Sequence, residues 1–117
     1  MYTTQKDFEL FKKEANKWID RLSLNDWEYT FFHIDIDADA DCTSYFIDKK
    51  IVFRLAKDVE NEDLSKREYV KKIAQHEVFH ALLENLYHQA RNRGFCQSDY
   101  FAEEHSVIHK LQKAFKE

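Results

Sequence analysis

Five consecutive residues in the second half of the chain have side chains that can hold and use a metal ion: His76-Glu77-Val78-Phe79-His80. Histidines four residues apart project from one face of a helix, so both imidazoles can bind the same divalent cation. Glu77 lies about 100° around the helix from His76, beside the ion rather than on it. From there its carboxylate can accept a proton from a water that the metal activates. The spacing predicts a Zn²⁺ site with His76 and His80 as ligands and Glu77 as the catalytic base.

The surroundings of this pattern favour a bound metal over the alternative of two ordinary core histidines. The pattern lies in the most apolar helical segment of the chain, between Ile73 and Tyr87. Burying two unpaired imidazoles and a carboxylate costs free energy, which a bound cation offsets. Histidines satisfied by ordinary hydrogen bonds are the alternative interpretation.

A catalytic zinc ion usually has three protein ligands and one water, so one more donor is required. Leu86 occupies the position where metzincins and one class of zinc-dependent RNA-processing proteins place a third histidine, and both patterns are therefore excluded. The remaining donors lie in the last predicted helix, where a helical wheel places Glu104 at the centre of the apolar stripe. A carboxylate that faces the interior needs a partner, so we predict Glu104 as the third ligand.

Other donors in the same helix remain as alternatives to Glu104. Glu103 lies at the margin of the apolar stripe and is the second choice, while His105 and His109 turn toward the polar side and come third. These two histidines are also four residues apart, which permits either a surface metal pair or two solvated side chains.

Hydrophobic periodicity predicts the elements that position these residues. Apolar residues at helical spacing predict a first helix behind a cap at Thr3 or Thr4, ending near Ser23. Aromatic and β-branched residues then predict a strand at 27–34 and a hairpin of strands 43–47 and 51–55. The capping-box sequence from Ser65 to Glu68 starts a long central helix that stops at 91–94, where Gly94 suits the C-cap. A last helix begins near Ser98 or Asp99.

Four aspartates alternate along the chain between the first strand and the hairpin, at positions 35, 37, 39 and 41. The calcium-binding loop of an EF-hand begins with oxygen ligands at alternate positions. Counting from Asp37, however, the required glycine is replaced by Cys42 and the closing glutamate by Asp48. We therefore predict an acidic, solvated strand end or loop rather than a calcium site.

Composition limits the class of protein. The chain has 117 residues, one glycine and no proline, so nothing marks a domain boundary and we predict a single domain over 1–117. The net charge is −4, and the predicted helices and strands make the expected fold class α+β. The negative charge argues against nucleic-acid binding, and no apolar run or leader predicts membrane insertion, so a cytoplasmic protein is expected. Cys42 and Cys96 are expected to be reduced thiols.

The chain resembles the gluzincin side of the zincin metallopeptidases, and more closely the small metallopeptidases of bacteriophages and prophages that are distantly related to SprT-like proteins. The Cys-rich zinc ribbon of SprT proteins is missing, so DNA-targeted proteolysis is not implied. The resemblance rests on four segments: Leu24-Asn25-Asp26-Trp27, Ile51-Val52-Phe53-Arg54-Leu55, His76-Glu77-Val78-Phe79-His80-Ala81-Leu82-Leu83 and Glu103-Glu104-His105-Ser106-Val107-Ile108-His109-Lys110-Leu111.

This resemblance implies a minimal zincin-like fold: an N-terminal helix, a small antiparallel sheet with a hairpin, a long central helix and a C-terminal helix. Strand 51–55 would be the sheet edge to which an extended peptide adds. The expected function is zinc-dependent peptide hydrolysis, with Tyr87 as a possible oxyanion donor or else a core tyrosine. The alternatives are a metal-stabilised binding or regulatory protein of phage origin without catalytic activity, and a hydrolase of non-peptide amides.

Overall fold

The computed structural model describes residues 1–60, 64–91 and 97–115, without the side chains of 85–91, 97–100 and 103. Within these residues the protein is α+β, with three helices and one three-stranded mixed sheet. The elements follow in the order α1 (Gln5–Arg21), β1 (Glu28–His33), β2 (Ala40–Tyr45), β3 (Lys50–Leu55), α2 (Lys66–Arg91) and α3 (Gln97–Ala114).

Helix α1 begins with a complete capping box at Thr4, one of the two predicted caps. The Asp7 backbone N–H donates to Thr4 Oγ1 at 3.2 Å, and the Thr4 N–H donates to the Asp7 carboxylate at 2.8 Å. These two bonds satisfy donors that a helix start leaves unpaired. Asp7 also forms an ion pair of 3.0 Å with Lys66, the first residue of α2. The starts of the two helices are therefore tied together.

Strand β3 lies at the centre of the sheet, with the strand order β1-β3-β2. It pairs antiparallel with β2, from Ala40↔Leu55 to Tyr45↔Lys50, which confirms the predicted hairpin, although its first strand begins earlier than predicted. It pairs in parallel with β1, from Glu28↔Lys50 to His33↔Leu55.

Two predictions about the sheet are therefore wrong. The sheet is mixed rather than antiparallel, and strand 51–55 is the central strand rather than an edge. The physical reason lies in β3 itself, because Ile51, Phe53 and Leu55 are at most 1% exposed and form the most buried strand. A central position also pairs the backbone of this strand on both sides, which an edge position does not. The outer strands are β1 and β2.

The core lies between the sheet and helices α1 and α2. Trp18 of α1 packs edge-on against Phe79 of α2, with ring centroids 5.6 Å apart, while Phe31 and Phe53 stack within the sheet at 5.3 Å. Ile108 adds a fully buried side chain from α3. As the sequence predicts, α2 is central, with buried residues at Val70, Ala74, Val78, Phe79 and Ala81.

The ends of α2 and α3 agree with the sequence to within about two residues where the structure describes them. The Glu68 N–H donates to Ser65 Oγ at 3.1 Å, as the capping-box sequence predicts. Helix α2 ends at Arg91, and the predicted C-cap at Gly94 lies outside the described residues. Helix α3 begins at Gln97. In the described part of the chain, no helix combines the length and apolar character that crossing a membrane requires.

Two of the four alternating aspartates, Asp39 and Asp41, have protein partners. Asp39 accepts hydrogen bonds from the Glu60 backbone N–H at 2.9 Å and from the Tyr69 hydroxyl. Asp41 accepts from Arg54, its cross-strand neighbour, with Nε 2.7 Å from Oδ1. Asp39 and Asp41 are half-buried and connect this segment to neighbouring elements, so they are not solvated as predicted. Asp35 and Asp37 are exposed, which agrees with the prediction of an acidic, solvated segment.

Candidate metal centre

Helix α2 brings the two predicted histidine ligands together. The Nε2 atoms of His76 and His80 lie 3.2 Å apart, and their ring centroids lie 4.8 Å apart. A tetrahedral zinc ion at its usual distance from two imidazole nitrogens holds those nitrogens roughly 3.3 Å from each other. The spacing of the two nitrogens therefore fits a shared metal ion.

Glu77 is buried beside this pair, as the motif predicts. Its side chain is 8% exposed, and burial raises its pKa from the ordinary 4.5 to about 8, with Asp41 and Glu104 adding to the rise and His80 opposing it. A nearby cation favours the ionised form of a carboxyl group, so a bound metal would lower this pKa. The proton affinity of Glu77 would therefore be lower with a metal bound than without one.

The raised pKa of Glu77 predicts how the stability of the metal-free protein depends on pH. Between pH 4.5 and about 8 the folded state holds a proton that the unfolded state has lost. The free energy of unfolding should therefore decrease as the pH rises through this window. Glu77→Gln removes this titrating group. The free energy of unfolding, measured with urea at pH 4.5 and at about pH 8, should therefore decrease less in the variant than in the wild-type protein. Equal decreases in the free energy of unfolding of the wild-type protein and Glu77→Gln would show that Glu77 is not the group responsible.

Glu104 faces the interior of the fold, as its position in the apolar stripe predicts. It is 4% exposed, and its Oε1 lies 3.1 Å from Nδ1 of His80. Burial lowers the pKa of His80, but the hydrogen bond and charge of Glu104, together with the Glu77 carboxylate, outweigh it and raise the value overall. In this conformation Glu104 orients the His80 ring and contacts the nitrogen that points away from His76.

His105, which comes third among the predicted choices for the third ligand, lies with His76 and His80 in a group of three histidines. One nitrogen of each of His76, His80 and His105 lies within 4.8 Å of the others, the one such group among the described residues. The His105 ring centroid lies 4.9 Å from that of His80 and 5.7 Å from that of His76. His105 is exposed, as the helical wheel predicts. A helical wheel gives the direction of a side chain but not the distance between two helices, so it could not predict that His105 lies close to His76 and His80.

His109 and Gln112 of α3 also lie close to His76. The His109 ring centroid is 6.0 Å from that of His76. Gln112 Oε1 is 3.5 Å from His76 Nδ1, a contact that sequence analysis missed because glutamine has neither charge nor metal affinity. Burial and then His80 lower the pKa of His76 to about 4, so the ring is neutral at pH 7. A neutral imidazole is the form that binds a metal.

Two further predicted residues lie outside the described side chains. They are Glu103, the second choice for the third ligand, and Tyr87, the possible oxyanion donor. Both remain predictions.

A groove and the outer strand β2 lie beside this part of α2. A groove of about 860 Å³ lies along α1, α2 and α3, with His76, His109 and Gln112 among its lining residues. The outer strand β2 packs against α2. Burial, together with the neighbouring carboxylates of Glu77 and Glu104, raises the pKa of the Cys42 thiol in β2. The edge of the sheet is therefore next to the predicted base.

The donor set as a whole fits zinc. It consists of imidazole nitrogens and a carboxylate, the ligands found in catalytic zinc sites, with a second carboxyl group beside them. Comparison with protein-family models, curated proteins and solved structures finds no match to this chain. A functional assignment therefore rests on the geometry of the described residues.

Proposed function

We propose that this protein is a zinc-dependent metallopeptidase with a zincin-like fold, which hydrolyses peptide bonds. The observation that carries the proposal is the pair of Nε2 atoms of His76 and His80, 3.2 Å apart on one helix, with buried Glu77 beside them. A core histidine pair gives no reason for a buried carboxyl group at that position, whereas metal-assisted hydrolysis requires one.

Each residue has a distinct role in this proposal. His76 and His80 hold the ion through Nε2, and the bound ion supplies Lewis-acid chemistry that activates water and polarises a carbonyl group. The Glu77 carboxylate accepts the proton of the attacking water and then returns it to the nitrogen of the leaving amine. Because β2 rather than β3 is the outer strand next to Glu77, an extended peptide would add to β2.

We propose Glu104 as the third ligand. Its carboxylate reaches the Nδ1 side of His80, while His76 Nε2 faces His80 Nε2 on the other side of the ring. With the two imidazoles, the buried Glu104 carboxylate would complete the His₂Glu donor set found in catalytic zinc sites.

Zinc affinities of three alanine variants test this ligand set. Removing an outer hydrogen-bonding partner of a metal site typically weakens metal binding about 10–100-fold, so removing a ligand should weaken it further. We expect Glu104→Ala to weaken zinc binding more than about 100-fold, and His105→Ala and the control His109→Ala to weaken it less. Competition with a chelator measures all three. A larger loss in His105→Ala would instead identify His105 as the third ligand and contradict the assignment of Glu104.

The position of His105 supports one second candidate function, a metal-stabilised protein without catalytic activity. If Glu104 and His105 both bind the ion together with His76 and His80, all four positions of a tetrahedral site are filled and none remains for water. Such closed sites are structural. A Co²⁺-substituted protein that binds no exogenous ligand would favour this candidate over the peptidase.

A further inference from the structure

We propose that Gln112 positions His76 for metal binding by holding the ring proton on Nδ1. The inference rests on the proposed metal site, and it assigns a role to a residue that lies on a different helix from the histidine. Gln112 Oε1 lies 3.5 Å from His76 Nδ1, at the long end of the hydrogen-bonding range. Hydrogen bonds at catalytic sites are often long before the ligand is bound.

The orientation of the Gln112 amide is determined by its other contacts. Its Nε2 lies 3.1 Å from Gln75 Oε1 and 3.4 Å from the Lys72 carbonyl oxygen. Both of these atoms accept hydrogen bonds, so the NH₂ group of Gln112 must face them. The carbonyl oxygen of the amide is then the atom that faces His76. A carbonyl oxygen can only accept, so the proton must be on Nδ1 of the imidazole.

This tautomer leaves Nε2 of His76 with a free lone pair directed at the metal position. His76 Nε2 lies 3.2 Å from His80 Nε2, in the pair that fits a shared ion. A neutral imidazole protonated on Nε2 could not bind the metal there until the proton moved. By stabilising the Nδ1–H form, Gln112 favours the metal-binding form before any ion arrives.

The packing of α3 explains how Gln112 reaches His76. Glu104, Ile108 and Gln112 are spaced by four residues and therefore share one face of the helix. Ile108 is fully buried at the middle of that face. The same face directs Glu104 to His80 Nδ1 and Gln112 to His76 Nδ1, so both imidazoles are held from one helix.

The test compares Gln112→Met, which keeps the length of the side chain and removes the acceptor, with two controls. Gln112→Glu keeps an acceptor oxygen. Gln5→Met makes the same change at a glutamine of α1 whose side chain donates a hydrogen bond to Glu9. Nitrogen-15 NMR of the full-length metal-free protein reports the tautomer of His76, and chelator competition reports zinc affinity. Gln112→Met should lower the Nδ1–H population of His76 and weaken zinc binding about 10–100-fold. Gln112→Glu should keep the Nδ1–H form of His76, because the carboxylate can also accept this proton's hydrogen bond, and Gln5→Met should change neither property.

The outcomes separate this inference from the proposed function. If the wild-type protein binds zinc but Gln112→Met leaves both the tautomer and the affinity unchanged, Gln112 has no positioning role and the metal site stands. If the two properties change in Gln5→Met as much as in Gln112→Met, the effect is not specific and the inference fails. A wild-type protein that takes up no zinc overturns the proposed function, whatever the tautomer of His76.

Discussion

Replacing Glu77 by glutamine should leave zinc bound and reduce peptide hydrolysis by about 10²–10⁴-fold, the usual contribution of a general base. Glutamine has nearly the same shape but cannot accept the proton of the attacking water at neutral pH. Glu77 is not a ligand in this account, so its amide should leave the ion in place. Turnover of a fluorogenic peptide library and the zinc content of each purified protein measure the two properties together.

The matched control for this change is Glu9→Gln. Glu9 is exposed on α1, and its carboxylate accepts a hydrogen bond from Gln5. This variant should keep both zinc and activity. Full activity in Glu77→Gln would remove Glu77 from the mechanism. Loss of zinc along with activity in Glu77→Gln would instead show that Glu77 holds the ion.

Replacing His80 by alanine should abolish zinc binding and activity together. The change removes one of the two Nε2 atoms and also the partner of the buried Glu104 carboxylate. Losing a ligand should weaken zinc binding more than the roughly 10–100-fold typical of an outer partner. The unpaired carboxylate should also cost about 1–3 kcal/mol in the free energy of unfolding, typical of a buried acceptor left without a donor.

Zinc titration and urea unfolding of His80→Ala measure these two effects, with His109→Ala as the control. His109 is exposed, and its ring centroid lies 6.0 Å from that of His76. The control should retain zinc and stability. A His80→Ala protein that binds zinc as tightly as the wild type would place the ion on other residues.

The elements of the fold could be predicted because their signals are local. The apolar spacing in α1, its threonine cap and the turn between β2 and β3 all depend on residues close together in the sequence. The position of β3 between β1 and β2 could not be predicted in the same way. Alternation and β-branching indicate that a strand exists, but the choice of its partners depends on which order buries Ile51, Phe53 and Leu55 best.

The same distinction applies to the candidate site. The side-by-side placement of His76 and His80 follows from one helical turn, and the burial of Glu104 follows from the apolar stripe of its own helix. The approach of His105 and Gln112 depends on how α3 packs against α2, which no local pattern encodes. Gln112 also gave no chemical signal, because an uncharged amide shows its role only through its partners.

The crystal structure of the protein with zinc, with the ion located by anomalous scattering, tests the central claim most directly. We predict one ion per chain, bound by Nε2 of His76 and Nε2 of His80 at about 2.0–2.1 Å, with Glu104 as the third protein ligand. An ion held elsewhere, or crystals that take up no zinc while His76 and His80 remain adjacent, would contradict the account.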